Sequence, residues 1–268
     1  MIYGSKPVDN GHLLIDKNEY DKFIANEPQA QKYIKKIYGA VEFIYNIDRY
    51  CLWLVDATAS EIEEMPLVKE RIDKVRQFRR DSRKKATQNS AVKPALFQEI
   101  RQPTSMYILV PQTTSERRRY IPIGFVDKDI IASNLVSIIP NGTLYHFGIL
   151  TSQIHMAWAR TVCGRLKSDL RYSGSVVYNN FPWPKVTNEQ CSDIETLAQN
   201  ILNARSKYSQ NTLAELYDKD SMSSFTELIV AHENLDRAVM KLYDFQEDTT
   251  EANIVASLLE LYRLKVQS

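Results

Sequence analysis

The chain has 268 residues, of which 44% are hydrophobic and 25% charged, and its formal net charge at pH 7 is +1. These values are typical of a soluble globular protein long enough for one large domain or two ordinary ones. No apolar run approaches the length of a membrane span, and three scattered cysteines exclude a disulfide framework, so we expect a reduced, cytoplasmic protein.

The first 68 residues predict alternating short strands and helices. A strand is expected at 13–15, a helix near 17–25, a second helix near 30–37 after Pro28, and a buried strand at 49–55. Two further helices are expected within 60–87, the second beginning at Pro66 because proline is favoured in a first helical turn.

The second of these helices carries a dense group of cations. Spacings of three, four and seven place them on one side, opposite an apolar face that runs from Val68 to Phe78. Residues 69–119 hold 14 Lys and Arg against 5 Asp and Glu, so a polyanion partner is one interpretation. The alternative is a solvated helix whose arginines pair with nearby carboxylates. The cations are Arg76, Arg79, Arg80, Arg83, Lys84 and Lys85.

Residues 106–184 predict strands followed by a helix and one more strand. Three apolar or alternating runs between Met106 and Ile139 are typical of strands, and Arg117, Arg118 and Arg119 precede the second run. Consecutive strand residues point alternately, so at most two of these three arginines share a face. After a helical stretch, Gly164 breaks the pattern.

Four polar residues follow Gly164 at every second position: Arg165, Lys167, Asp169 and Arg171. In one extended strand this spacing would place all four side chains on one face. Lysine and arginine can donate to guanine and a carboxylate can accept from cytosine, so the row could read base edges. The alternative is that Lys167 and Asp169 form an ion pair on an exposed strand. Leu135 on a neighbouring strand is a weaker candidate for base contact.

Residues 185–268 contain no glycine and repeat apolar residues at three- and four-residue steps, which predicts a small helical bundle. The expected fold class is therefore α+β. A recognition domain at 1–184, with mixed helices and a mainly antiparallel sheet, is followed by a small all-α domain at 185–268.

No catalytic motif is present in the sequence. There is no GxG loop for a methyltransferase cofactor, no HExxH and no Asp/Glu-x-Lys nuclease tripeptide. We therefore expect a chain that binds without catalysing and that holds neither a metal nor a cofactor.

Several long blocks resemble one protein family. GSKPVDNGHL at the start, RYCLWLVDA at 49–57, VRQFRRDSRKKAT at 75–87 and the segments 103–125 and 147–184 are similar to MmeI-like (type IIL) restriction–modification enzymes. In that family one polypeptide joins an endonuclease, an adenine-N6 methyltransferase, a target-recognition domain and a C-terminal helical domain. The resemblance implies that this chain is the last two parts, without the upstream catalytic domains.

The resemblance also implies roles for the candidate residues and for partners. The partners would be double-stranded DNA and the upstream methyltransferase domain, with S-adenosylmethionine, and Mg²⁺ if a nuclease is present, serving the parent enzyme. Lys167, Asp169 and Arg171 would contact base edges. The cations of the basic helix would contact the phosphate backbone, together with Arg117–Arg119 and Arg165. Two alternatives remain: a separate specificity subunit that recruits a methyltransferase in trans, and an enzyme with an unrecognised site within residues 1–184.

Overall fold

The computed structural model describes residues 1–267. Its strands are β1 (Ile2–Tyr3), β2 (Leu14–Asp16), β3 (Ile34–Tyr38), β4 (Arg49–Leu52), β5 (Tyr107–Pro111), β6 (Thr113–Thr114), β7 (Gly124–Val126), β8 (Ile131–Ala132), β9 (Val136–Pro140), β10 (Gly164–Leu166) and β11 (Asp169–Arg171). Its α-helices are α1 (Lys17–Asn26), α2 (Ala40–Tyr45), α3 (Ala59–Glu63), α4 (Pro66–Arg80), α5 (Lys85–Ser90), α6 (Leu144–Leu150), α7 (Gln153–Val162), α8 (Asn188–Lys207), α9 (Leu213–Leu216), α10 (Thr226–Leu242) and α11 (Glu251–Gln267). This mixture confirms the expected α+β class.

The chain forms two compact units, and each unit is made of more than one segment of the chain. The N-terminal unit comprises Tyr3–Thr104 and Asp127–Val136. The C-terminal unit comprises Met1–Ile2, Ser105–Val126 and the chain from Ser137 onward. In this division the C-terminal helices share a unit with strands and helices that precede residue 185, whereas the sequence predicted a separate helical domain from that point.

The N-terminal unit is built on a four-stranded sheet of order β2–β4–β3–β8. Strand β4 pairs antiparallel with β2 and β3, and β3 pairs parallel with β8. The predicted helix at 30–37 is wrong, because a 3₁₀ turn at Pro28–Tyr33 leads directly into β3. The backbone of β3 pairs with two neighbouring strands, a tertiary interaction that overrides the local helical pattern.

Helix α4 begins at Pro66 as predicted but ends at Arg80, and α5 is a separate short helix. Arg83 and Lys84 therefore lie in the link between two helices, whereas the sequence placed them on α4. The buried positions of α4 are Val68, Ile72, Val75 and Arg79, at steps of four, three and four residues. Phe78, expected on the buried face, is 37% exposed.

The C-terminal unit contains two sheets and most of the helices. One sheet has the order β1–β9–β5–β7 and the other the order β10–β11–β6. Helix α6 packs against α8, α8 against α10, and α7 against α11. A Cβ on Gly148 of α6 would lie 2.8 Å from the Ile194 side chain of α8, so only glycine permits this close approach. One hydrophobic core, which includes Trp158 and Phe181, extends from β5 to α11.

Between residues 1 and 267, no helix combines the length and the apolar character that a membrane crossing requires.

Candidate nucleic-acid interface

The polar row after Gly164 forms a β-hairpin. Strands β10 and β11 pair antiparallel, with Gly164 opposite Arg171, Arg165 opposite Leu170 and Leu166 opposite Asp169. Lys167 and Ser168 form the two-residue turn between them. Lys167 occupies the left-handed region with φ of 57°, which for a residue other than glycine costs about 1–2 kcal/mol.

This geometry corrects the prediction that four polar side chains share one strand face. Residues that lie opposite each other in an antiparallel pair point to the same side. Asp169 and Arg171 therefore share a face with Leu166, whereas Arg165 lies on the other face beside Leu170. Lys167 belongs to the turn. The alternating spacing could not reveal the reversal, because the turn carries neither Asn-Gly nor Gly.

The hairpin is anchored at its base and exposed at its tip. Leu170 and Tyr172 are 0% and 2% exposed, whereas Arg165, Leu166, Lys167 and Arg171 are all exposed. Leu170 and Tyr172 thus anchor β11, which is paired on its other side with β6. Strand β10, the turn and Arg171 stay exposed, and Asp169 is half-buried.

A buried histidine completes the anchor of the hairpin. The Tyr172 hydroxyl and His155 Nε2 lie 2.9 Å apart, and the ring of Phe181 meets the His155 ring edge-on. Burial lowers the pKa of His155 to about 3 and raises the pKa of Tyr172. Both groups are therefore neutral at pH 7, and His155 has the structural role of a core residue.

The basic segment of the N-terminal unit, residues 76–85, is largely exposed. Arg80, Arg83, Lys84 and Lys85 are exposed, and Arg76 is half-buried with its guanidinium 2.8 Å from Asp73. The single carboxylate within the segment, Asp81, accepts two hydrogen bonds from the Gln77 amide. Most of this positive charge is thus presented to solvent, where a polyanion could reach it.

Arg79 is the exception, and its predicted contact with DNA phosphate is wrong. The side chain is fully buried, and its three nitrogens donate to five backbone carbonyls at 2.7–3.2 Å. The acceptors are Pro7, Val8, Ser90, Lys93 and Leu96. Burial lowers the pKa of Arg79, but a guanidinium surrounded by carbonyl oxygens stays charged.

The signal for this buried arginine was present in the sequence. The apolar positions 68, 72 and 75 of α4 continue at 79, so the helical period marks Arg79 as part of the inward face. Sequence reasoning assigned it by its charge instead of its position.

The three arginines at 117–119 lie in the loop between β6 and β7 and not on a strand as predicted, and they differ in exposure. Arg118 is 8% exposed and donates to Thr114, so its predicted phosphate contact is wrong. Arg117 and Arg119 are more exposed, but each is paired with a carboxylate, Asp220 in the turn after α9 and Glu233 on α10. Arg117 lies 2.6 Å from Asp220, and Arg119 lies 3.6 Å from Glu233. These exposed pairs contribute little to stability and can exchange partners.

Two weaker candidates also have defined surroundings. Arg165 lies 3.9 Å from Glu116 and donates to the carbonyl of Arg160. Leu135 is 60% exposed and lies in the turn between β8 and β9, within the N-terminal unit. It is therefore not on a strand that neighbours the hairpin, as the sequence had suggested.

Comparison with known protein families decides the identity of the chain. Residues 1–185 match the family model described as the MmeI target recognition domain, and residues 186–267 match that of the MmeI C-terminal domain. The chain belongs to the MmeI family. The resemblance seen in the sequence blocks is thus confirmed.

Two relatives illustrate this membership. DNA methyltransferase A of Bacillus subtilis (strain 168) is 40% identical over 263 residues, which is 98% of this chain and 30% of that protein. A solved structure of the type IIL restriction–modification enzyme MmeI in complex with DNA is 46% identical, with a TM-score of 0.96. That match covers 100% of this chain and 35% of the MmeI chain. The chain therefore spans about a third of the length of these MmeI-family relatives.

Proposed function

We propose that this chain is the sequence-specific DNA-recognition module of a restriction–modification enzyme, which holds duplex DNA for adenine methylation by another part of a longer protein. The observation that carries the proposal is the match of residues 1–185 to a target recognition domain. The MmeI structure, solved in complex with DNA, matches the whole chain at a TM-score of 0.96 and supports the same function.

Phosphate contacts are assigned to the exposed part of the basic segment. Arg76, Arg80, Arg83, Lys84 and Lys85 carry charge on a surface with one internal carboxylate. Each phosphate that a cation neutralises adds about 0.9 to the slope of log affinity against log salt. Such contacts fix the register of the protein on DNA and carry no sequence information by themselves.

Additional phosphate contacts are assigned to Arg117, Arg119 and Arg165 in the C-terminal unit. Each of them is paired with an exposed carboxylate, and a DNA phosphate would have to replace that carboxylate. We therefore expect these three to contribute less to affinity than Arg80, Arg83, Lys84 and Lys85 of the basic segment.

Base reading is assigned to the hairpin. The major groove of B-DNA admits a two-stranded β-ribbon. Strand β6 pairs with β11 only at Leu170 and Arg171, so the end of the β10–β11 hairpin from Leu166 to Asp169 is two-stranded and has an exposed turn. Asp169 and Arg171 lie on the same face, so one could accept from cytosine while the other donates to guanine. Lys167 at the turn would act as a third donor. Leu135, which belongs to the N-terminal unit, is a separate candidate for an apolar base contact.

The catalytic step is assigned to the remainder of a longer polypeptide. The relatives are about three times as long as this chain, and the sequence contains no glycine-rich cofactor loop. S-adenosylmethionine would be the cofactor of that remainder, and Mg²⁺ would be needed if a nuclease accompanies it. Because the substrate would be cellular DNA, the expected location is the cytoplasm.

The proposal is tested by selecting bound duplexes from a randomised library with the purified chain. Asp169→Ala and Arg171→Ala are expected to relax the preference at one or two base pairs, because each good base contact gives about 1–3 kcal/mol of discrimination. Lys84→Gln is expected to weaken all sequences equally and to lower the salt slope by about 0.9. Lys69→Gln, at an exposed lysine already paired with Glu63, serves as a charge-matched control.

Two results would contradict this assignment. If both hairpin variants keep the original sequence preference, the hairpin does not read bases and has only a structural role. Absence of any salt-dependent binding to duplex DNA by the folded chain would remove the DNA-recognition proposal as a whole.

A further inference from the structure

Helix α11 exposes more apolar surface than the other long helices of the C-terminal unit. Helix α8, which the structure describes completely, exposes no large apolar side chain, and α10 exposes only Val230. In α11 four large apolar side chains are 41–66% exposed: Leu259, Leu261, Leu264 and Val266.

These side chains lie on both sides of the stripe by which α11 packs against α7. Leu258 is buried at the centre of that stripe, and at 3.6 residues per turn Leu259 and Leu264 lie on opposite sides of it. The neighbouring charges, Glu260 and Arg263, pair with each other at 2.6 Å. A helix whose apolar surface extends this far beyond its packed stripe is typical of one that packs on more than one side.

The C-terminal half of α11 lies beside the helical turn Gly174–Tyr178, which also contacts the start of the chain. Lys265 Nζ of α11 is 3.5 Å from the carbonyl oxygen of Asn179, immediately after the turn. At the other end of the turn, a Cβ on Gly174 would lie 3.3 Å from the sulfur of Met1. Five helical residues span less than about 8 Å. The start of the chain and the end of α11 are therefore close together.

The exposed apolar residues of the C-terminal unit are concentrated around this turn. Within the described residues, the unit exposes nine large apolar side chains, of which three lie elsewhere, at Met106, Leu166 and Val230. The other six belong to the chain start, the turn and α11, and we call them the junction surface. Apolar residues gathered on a surface in this way are typical of an interaction site. The six are Ile2, Val176, Leu259, Leu261, Leu264 and Val266.

The path of the polypeptide selects the partner for this surface. The MmeI-family relatives are about three times as long as this chain, and residues 186–267 match a C-terminal domain. In those relatives the additional length therefore lies mainly ahead of the segment that matches residue 1. In the longer protein of the proposed function, the preceding chain would join at Met1, next to α11. A partner tethered there has a local concentration in the millimolar range, so even a weak apolar contact is populated.

We propose that the junction surface is a docking site for the part of the longer polypeptide that precedes residue 1, and that docking buries the exposed apolar side chains of α11. This inference rests on the proposed function, in which the chain is one part of a longer protein. The partner surface must itself be apolar, because Glu260 and Arg263 already neutralise each other. Docking would hold the recognition module at a fixed position relative to the catalytic part, which contacts with DNA alone do not provide.

Photo-cross-linking in the full-length protein tests this docking. The photoreactive residue benzoylphenylalanine is placed at position 259 or 264, on either side of the buried stripe, and at position 230 as the control for an exposed apolar site on α10. Cross-linked peptides are identified by mass spectrometry after monomer and dimer bands are separated on a denaturing gel. We expect at least one of positions 259 and 264 to join peptides that precede residue 1 within the monomer, and position 230 to join none of them.

Matched variants of the full-length protein complete the test. Glutamine and leucine have similar helix propensities, so Leu259→Gln/Leu264→Gln should keep α11 intact, as circular dichroism would show. We expect thermolysin to cleave the double variant ahead of residue 1 about tenfold faster, because two apolar contacts are lost and cleavage follows the population of the undocked state. Val230→Gln should be cleaved like the original protein.

The outcomes separate this inference from the proposed function. If neither position joins preceding peptides, or if the cross-links join only two copies and run as a dimer, the docking proposal is wrong. The same holds if the double variant is cleaved like the original protein. DNA recognition stands in these cases when the chain still selects specific duplexes. If the cross-links form but the chain selects no duplex, docking stands and the DNA-recognition proposal fails.

Discussion

The two candidate DNA-contact surfaces are supported from inside in different ways. The hairpin of the C-terminal unit stands on Leu170 and on the neutral pair Tyr172–His155. The basic segment of the N-terminal unit stands on a buried cation, Arg79, which five carbonyls surround. Both surfaces present charged side chains to solvent. The hairpin is held by apolar packing and by the His155 ring, whereas the basic segment is held by the hydrogen-bonded guanidinium of Arg79.

This difference shows that exposed side chains of similar charge can be supported by buried groups of different chemistry. Arg79 and Arg80 are neighbours in sequence and identical in type, yet only Arg80 is available to a ligand. A surface held by many directional hydrogen bonds should respond strongly to loss of its anchor. A surface held by a histidine should respond to pH.

The largest effect is expected from Arg79→Met. The substitution leaves five inward carbonyls without their donor, and we expect the free energy of unfolding of the N-terminal unit to fall by about 3–5 kcal/mol. Arg80→Met removes the same charge from an exposed position and should change it by less than about 0.5 kcal/mol. Urea denaturation followed by circular dichroism measures both. Equal effects of the two substitutions would contradict the structural role of Arg79.

An intermediate effect is expected from pH through His155. Its pKa is about 3 in the folded protein and 6.5 ordinarily, so only the unfolded chain takes up a proton as pH falls below 6.5. The stability that the neutral ring contributes is present above pH 6.5 and is lost as pH falls toward 3, by about 2 kcal/mol at pH 5. His155→Gln should remove that part of the pH dependence.

Asp236 must be considered when this experiment is read. Burial raises the pKa of Asp236 to about 6, so its contribution is present at low pH and is lost as pH rises through about 6. It therefore opposes the effect of His155 in the original protein and in the variant alike. The informative quantity is the difference between the two proteins, measured by urea denaturation at pH 5 and pH 7.5. The same difference at both pH values would contradict the assignment.

The smallest effect is expected from Lys167→Gly in the hairpin turn. Glycine removes the strain of φ at 57° and should stabilise the C-terminal unit by up to about 1 kcal/mol. Lys167→Gln removes the same charge but keeps the Cβ, so it should bring no such gain. Thermal unfolding of the two variants compares them. If lysine contacts DNA, both variants should bind duplex DNA equally weakly despite their different stabilities.

The MmeI-family membership, the α+β class and the start of α4 at Pro66 could all be predicted from the sequence. Family membership could be predicted because long sequence blocks resemble the family in the same order. The helix start could be predicted because proline in a first helical turn is a local signal. The strand at 34–38, predicted as helix, could not be recognised, because pairing with β4 and β8 decided its conformation. The domain boundary at 184 and the roles of the exposed candidate residues stay predictions.

The amino-acid sequence alone determined which residue types are concentrated where, because charge and periodicity are properties of the chain itself. Only the tertiary structure decided which of those residues are available. It turned Arg79 and Arg118 inward, reversed the chain at Lys167 so that Arg165 left the face of Asp169 and Arg171, and left apolar side chains of α11 exposed. The physical reason is that burial and strand register depend on contacts between distant segments, which no local spacing contains.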